Sequence, residues 1–170
     1  MNLPLPVLLT GLPPLVGPDT RLLILGSFPG GRSLQLQQYY AHPQNQFWKI
    51  LQAIWPESPD ALCVESYEQR SNWLLARGLG LWDVYAACER AGSLDSAIRN
   101  ATPNDIAALQ LPQLRAIAHN GGESFKHARH TRSLGVRVYR LPSTSPANAS
   151  WSFERKLAAW RAVMQECGLV

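Results

Sequence analysis

Residues 21–31 read Arg-Leu-Leu-Ile-Leu-Gly-Ser-Phe-Pro-Gly-Gly. Four consecutive apolar residues, Leu22 to Leu25, show no polar alternation and stop at Gly26. Such a run reads as a buried strand that ends in a turn. Three further stretches behave as strands. Residues 79–84 (LGLWDV) form a second buried run. Residues 115–119 (RAIAH) form a third, ending at the turn Asn120-Gly121-Gly122. Residues 136–141 (VRVYRL) alternate like an edge or half-buried strand. Helical spacing fills the gaps. It appears in residues 46–55, where Phe47, Ile50, Leu51 and Ile54 share a face, in 67–77 before Gly78, in 104–109 and in 123–130. The longest helix is expected over 152–167, with Phe153, Leu157, Trp160, Val163 and Met164 on one side and Gly168 at its end. Strands alternating with helices predict an α/β fold, a three-layer α/β/α sandwich around a four-stranded, mainly parallel sheet. Such sheets bind ligands at the carboxyl ends of their strands, and the unusual residues of this chain cluster there.

A chain of 170 residues fits a single domain, 1–170, with an extended segment over 1–20. With 46% hydrophobic and 16% charged residues, the composition is globular and excludes disordered or fibrous classes. No apolar run is long enough to cross a bilayer. The proline-interrupted N-terminus has no basic start and does not read as a signal peptide. Cys63, Cys88 and Cys167 are odd in number and scattered, which suggests neither a disulfide framework nor a metal quartet. A cytoplasmic monomer without membrane attachment is expected, with no cofactor and no metal. A net charge of +4 is compatible with a polyanionic partner.

The glycines of Gly26-Ser27-Phe28-Pro29-Gly30-Gly31 allow a ligand to approach backbone N–H groups. No Lys-Ser or Lys-Thr follows, so this is not a P-loop, and the spacing of a dinucleotide fingerprint is missing. Next comes Tyr39-Tyr40-Ala41-His42-Pro43-Gln44-Asn45-Gln46-Phe47-Trp48. Rings beside amides suit a base pocket, where rings stack and amides read edges. Phe47 belongs to a helix core. Asn45 reads equally as a helix cap or as a pocket residue. Asp83, at the second strand end, is expected either to order water or to cap a following helix.

A strand followed by Gly-Ser-Phe-Pro-Gly, then Tyr-Ala-His-Pro-x-Asn-x-Phe-Trp, resembles the uracil-DNA glycosylase superfamily. Two more stretches are similar to its hypoxanthine-DNA glycosylase branch. One is Leu81-Trp82-Asp83-Val84 with Cys88-Glu89-Arg90-Ala91-Gly92-Ser93-Leu94-Asp95-Ser96, the other Leu141-Pro142-Ser143-Thr144-Ser145-Pro146-Ala147. The resemblance implies an enzyme that flips a damaged base and cuts its N-glycosidic bond with water. Phe28 stands where several branches carry a water-positioning Asp or Asn. Leu141 stands where the uracil branch has a base-binding histidine. Both departures are typical of the hypoxanthine branch, whose catalytic asparagine maps to Asn45. The mismatch-specific branch has a similar His-Pro-x-Asn stretch.

What the resemblance implies is a monofunctional deoxyinosine glycosylase acting on damaged DNA. Gly26, Ser27, Phe28, Pro29, Gly30 and Tyr40 would shape the base pocket, and Phe28 would lie against the flipped base. Asn120 would read the base edge, although Asn-Gly is also ideal turn sequence. Ser143, Thr144 and Ser145 would grip phosphates, and one residue of 147–151 would fill the gap left by the base. His119, His127, Arg129, His130 and Arg132 form a basic stretch that faces either phosphate or solvent. The alternatives are a mismatch-type glycosylase for uracil or another damaged base, and a non-catalytic lesion-binding module.

Overall fold

A computed structural model of the protein describes residues 7–58 and 66–170. In chain order the first elements are β1 (Leu8–Thr10), β2 (Leu22–Gly26), α1 (Gly31–Leu36), α2 (Phe47–Ile54) and α3 (Tyr67–Ala76). Then come β3 (Leu79–Asp83), β4 (Tyr85–Glu89), β5 (Arg99–Pro103) and β6 (Ala116–Asn120). The chain closes with α4 (Gly122–Phe125), α5 (Ala128–Arg132), β7 (Arg137–Leu141) and α6 (Phe153–Glu166). The main sheet is parallel throughout, in the order β3-β2-β6-β7. β2 lies inside it with all five residues buried, which is why its sequence is continuously apolar.

Side chains alternate across this sheet. Leu22 and Ile24 share one face with Leu79, Leu81, Ala116 and Ala118, and they pack on Phe47, Leu51, Leu74, Trp160 and Met164 of α2, α3 and α6. Leu23, Leu25 and Ile117 face the other way, toward Phe28, Val84, Tyr85 and Cys88. β4 supplies Tyr85 and Cys88 to that second face, while α4 and α5 pack beside it against β6 and β7. Ser152 caps α6 by accepting the Arg155 N–H. The buried face of α6 is Lys156, Trp160, Val163 and Met164. Phe153 and Leu157, expected inside, are only partly buried.

Some expectations need correction. A second, antiparallel sheet, β1-β4-β5, was not anticipated. No helix follows β3. Val84 and Tyr85 donate their N–H groups to the carbonyls of Gly26 and Ser27, and the chain turns straight into β4. Asp83 therefore caps no helix. The segment 104–109 yields only a 3-10 turn, Ile106–Leu109, and 123–130 splits into α4 and α5. Helix α1 carried no periodic signal. Cys63 lies outside the described residues, while Cys88 and Cys167 are free thiols. Among the described residues no helix is long and apolar enough to cross a membrane.

His119 does not belong to a basic surface. It is 0% exposed, with Nδ1 2.8 Å from Ser124 Oγ and Nε2 2.8 Å from Thr131 Oγ1. Ser124 Oγ donates to the Leu25 carbonyl and Thr131 Oγ1 to the Ala128 carbonyl, so both hydroxyls present an acceptor to the ring, which while neutral donates to only one of them. Burial pushes the imidazole down to about 4. An unfolded histidine titrates near 6.5, so between these values the unfolded chain holds the extra proton. Stability from this group therefore falls as pH drops from about 6.5 to about 4, by about 3 kcal/mol at most. Urea midpoints measured across this window should fall more steeply for the wild type than for His119→Gln. Parallel curves would contradict a neutral, buried His119.

Candidate active site

Gly26, Asp83 and Asn120 end three adjacent parallel strands. Gly26 lies opposite Asp83 in the register, and Leu25 opposite His119, so one step further Asn120 flanks Gly26 on the other side. By alternation all three share the face that packs on α2 and α6. Gly26 is the gap in this row. A Cβ there would stand 2.5 Å from Asp83 Oδ1 and 3.5 Å from Tyr40 Oη, so close approach and not backbone conformation requires glycine. Gly26→Ala should push the Asp83 carboxyl out of place. An expected loss of about 1–3 kcal/mol in denaturant unfolding, together with reduced turnover, checks this. Unchanged stability would show that Asp83 relocates freely.

Above this row opens a cavity of about 750 Å³, within the usual size of a ligand pocket. Every residue that the sequence reading placed in a site lines it, from the Gly26–Gly30 turn and Tyr40 to Asn45, Asp83, Asn120 and Ser143 to Ser145. The turn is held from outside by the loop after β4. Ser27 Oγ donates to Asp95 Oδ1 at 2.6 Å, and the Gly31 N–H donates to Ser93 Oγ at 2.9 Å. Buried Arg90 donates from Nη2 to the Pro29 carbonyl at 2.7 Å and from Nε to that of Gly92 at 2.9 Å. Its guanidinium also sits 5.3 Å from the Phe28 ring centre. Phe28 is 6% exposed, with its ring packed into the second core and one side toward the cavity. Local sequence patterning did not assign roles to Arg90, Ser93 or Asp95. Only their place in the 88–96 stretch marked them.

Asn120 joins three segments. Its Nδ2 donates to Tyr40 Oη at 3.1 Å and to Thr144 Oγ1 at 3.0 Å, and its Oδ1 accepts the Thr144 N–H at 3.1 Å. Tyr40, at φ +54, stacks on Phe47 with ring centres 4.1 Å apart. Asn45 combines its two readings. Its Oδ1 accepts the Phe47 N–H at 3.0 Å in the turn that opens α2, while Nδ2 has no partner among the described residues. The next residue, Gln46, ties this turn to the last loop. Its N–H donates to the Thr144 carbonyl, and its Oε1 accepts from buried Lys156 Nζ at 2.9 Å. Thr144 is fully buried and its hydroxyl is spent on Asn120. Ser143 and Ser145 use their hydroxyls as turn acceptors for Ser145 N–H and Ala147 N–H.

The family model of the Uracil DNA glycosylase superfamily matches residues 13–164. The chain belongs to that superfamily. It is 37% identical over 158 residues, 91% of this chain and 97% of the relative, to a protein of Methanosarcina acetivorans named "Hypoxanthine DNA glycosylase". A protein of the same name from Methanosarcina barkeri is 34% identical over 152 residues, 88% of this chain and 94% of the relative. The fold is similar to the solution NMR structure of a Methanosarcina acetivorans protein described as a "putative Uracil DNA glycosylase". There the TM-score is 0.83 at 34% identity, over 95% of this chain and 99% of that one.

Within this superfamily member the electrostatics of the cavity are uneven. Exposed Arg32 and Arg140 line its mouth, and Arg155 stacks 4.2 Å from the Trp151 ring centre nearby. The floor holds carboxyls. Asp83 is 5% exposed, and its Oδ2 has no hydrogen-bond partner. Burial, reinforced by Asp95 and opposed by Arg90, pushes it up to about 7. Asp95 is also raised, chiefly by burial, while its bond from Ser27 works the other way. Of the expected basic stretch, Arg129, His130 and Arg132 are exposed. His127 Nε2 instead lies 3.0 Å from Tyr85 Oη, which also donates to Glu123.

Proposed function

We propose that this chain is a monofunctional DNA glycosylase that releases hypoxanthine from deoxyinosine in DNA by base flipping and water attack. The observation that carries the reading is the pairing inside one cavity of an aromatic Phe28 with an Asn45 whose amide nitrogen is unspent. The names of the two Methanosarcina relatives support it. The electrophile is an oxocarbenium-like sugar, as in glycoside hydrolysis. It needs a placed water more than a strong base, and a second lone pair on Asn45 Oδ1 supplies a site for that water. Phe28, Gly30 and Ser143 have backbone N–H groups without partners among the described residues. These donors stabilise charge on the departing base. A donor near O6 favours hypoxanthine over adenine, whose N6 is itself a donor. With Thr144 turned inward, Ser143 and Ser145 meet phosphate, and Arg32 and Arg140 hold the duplex over the mouth. Among the described residues no lysine lines the cavity, which supports hydrolysis without a Schiff-base lyase step.

Single-turnover assays on duplexes carrying one hypoxanthine or one uracil, followed by alkaline cleavage of abasic sites, test this. Hypoxanthine-selective cleavage is expected. Uracil-selective cleavage would overturn the argument from Phe28. Tight binding with no base release would assign the chain to lesion binding instead.

A further inference from the structure

We propose that Asp83 is the general acid of the reaction, donating its proton to a ring nitrogen of the purine as the glycosidic bond breaks. The proposal rests on the hypoxanthine reading above. Its ground is geometric. Asp83 sits in the strand-end row on the cavity floor, and its Oδ1 occupies the space that Gly26 leaves open. Oδ2 is buried without a partner, and no ion pair to Asp83 occurs among the described residues. An ionised carboxylate left unpaired in such a place is costly, whereas a neutral carboxyl is at ease there and offers the cavity a donor at Oδ1, the oxygen over Gly26.

The groups facing Asp83 fit this state. From the segment after α1 come the phenols of Tyr39 and Tyr40, both themselves raised, first by burial and then by Asp83. From the loop after β4 come Asp95 and Arg90. Arg90 gives Nη2 and Nε to the carbonyls of Pro29 and Gly92 and keeps Nη1 buried without a partner, and Asp95 accepts from Ser27. None of them bonds to Asp83. Burial and Asp95 then push its carboxyl up to about 7, so at neutral pH a large share is protonated.

Phe28 and Leu141 offer the departing base no polar side chain, so beyond the backbone N–H groups of the turn a proton from Asp83 meets the charge developing on a purine. In the step proposed, the C1′–N9 bonding pair moves onto the base, and the Asp83 proton goes to N7 or N3. Water bonds to C1′ and loses a proton, which returns through solvent to the Asp83 carboxylate. One water is consumed, and neutral hypoxanthine and an abasic sugar result. This role is opposite in sign to water ordering by an ionised Asp83. An acid loses activity as pH rises through about 7, whereas a water-activating carboxylate gains it.

The test is a single-turnover pH profile from 5.5 to 9 on a hypoxanthine duplex, for the wild type and for the nearly isosteric Asp83→Asn. The wild-type rate should fall above neutrality. Asp83→Asn should be roughly 10²-fold slower at pH 6, with no such fall and unchanged affinity for the duplex. Equal rates at pH 6, or a wild-type rate that rises through neutrality, overturn the proposal. If Asp83→Asn does not fold, infrared titration of ¹³C-aspartate-labelled wild type and Asp95→Asn decides, because Asp95 is also raised and its signal is the one lost in the variant. A carboxyl still protonated at pH 6 supports it, and full ionisation by pH 5 overturns it. A wild type inactive on hypoxanthine at every pH instead defeats the functional reading itself.

Discussion

Asn45→Ala should lower single-turnover release of hypoxanthine roughly 10²- to 10⁴-fold, the range expected when a group that positions a proton-transferring water is removed. The side chain lies in the turn that opens α2, and Oδ1 holds the Phe47 N–H at 3.0 Å. Losing that bond costs about 1 kcal/mol, too little to unfold the domain, so the loss of rate is chemical. Asn45→Asp separates the atoms. It keeps an oxygen for Phe47 and for the water but removes the amide donor. It should retain more activity than Asn45→Ala if water placement is the main role, and no more if the unspent Nδ2 is. Duplex affinity should change only a few-fold in both. An Asn45→Ala variant with wild-type rate would remove the residue from the mechanism.

Asn120→Ala should be the most destabilising polar substitution in the site. Three hydrogen bonds disappear together, and the Thr144 N–H and the Thr144 hydroxyl are left buried without their partner. A buried group left unsatisfied costs about 1–3 kcal/mol. A total near 3 kcal/mol would lower the Tm of a domain of this size by roughly 6–12 °C. Activity should fall as well, because the bonds to Tyr40 and Thr144 hold the first and last loops against one strand end. Asn120→Asp retains an acceptor for the Thr144 N–H, and both hydroxyls are free to rotate and donate, so it should lose less. Calorimetric melting of the three proteins checks the order. A Tm change under about 2 °C for Asn120→Ala would mean that the three segments hold together without it. Each bond of Asn120 goes to a residue that itself lines the cavity. Any reading of a base edge must therefore use its remaining acceptor lone pair, or exchange one of these bonds.

The parallel sheet was legible because its strands are buried on both faces, and a continuous apolar run leaves few other assignments. The glycine turn, Asn45, Asp83 and Asn120 were legible as a set for a related reason. They stand at or near the ends of those strands, and a parallel sheet brings such ends to one edge. The small antiparallel sheet and the Arg90, Ser93 and Asp95 loop left no such mark. The strands of that sheet are short and largely half-exposed and take their register from one another, and the loop is placed by contacts with residues 27–31 some sixty residues away. Lys156 was equally silent, because an apolar helix face gives no notice that one ammonium has been drawn in by the Gln46 side chain. Asp83 marks the boundary most clearly. Its sequence position announced a carboxyl at a strand end. Whether that carboxyl carries a proton depends on its burial, on Asp95 beside it and on an Arg90 that bonds the Pro29 and Gly92 carbonyls instead, and only the folded chain brings those three together.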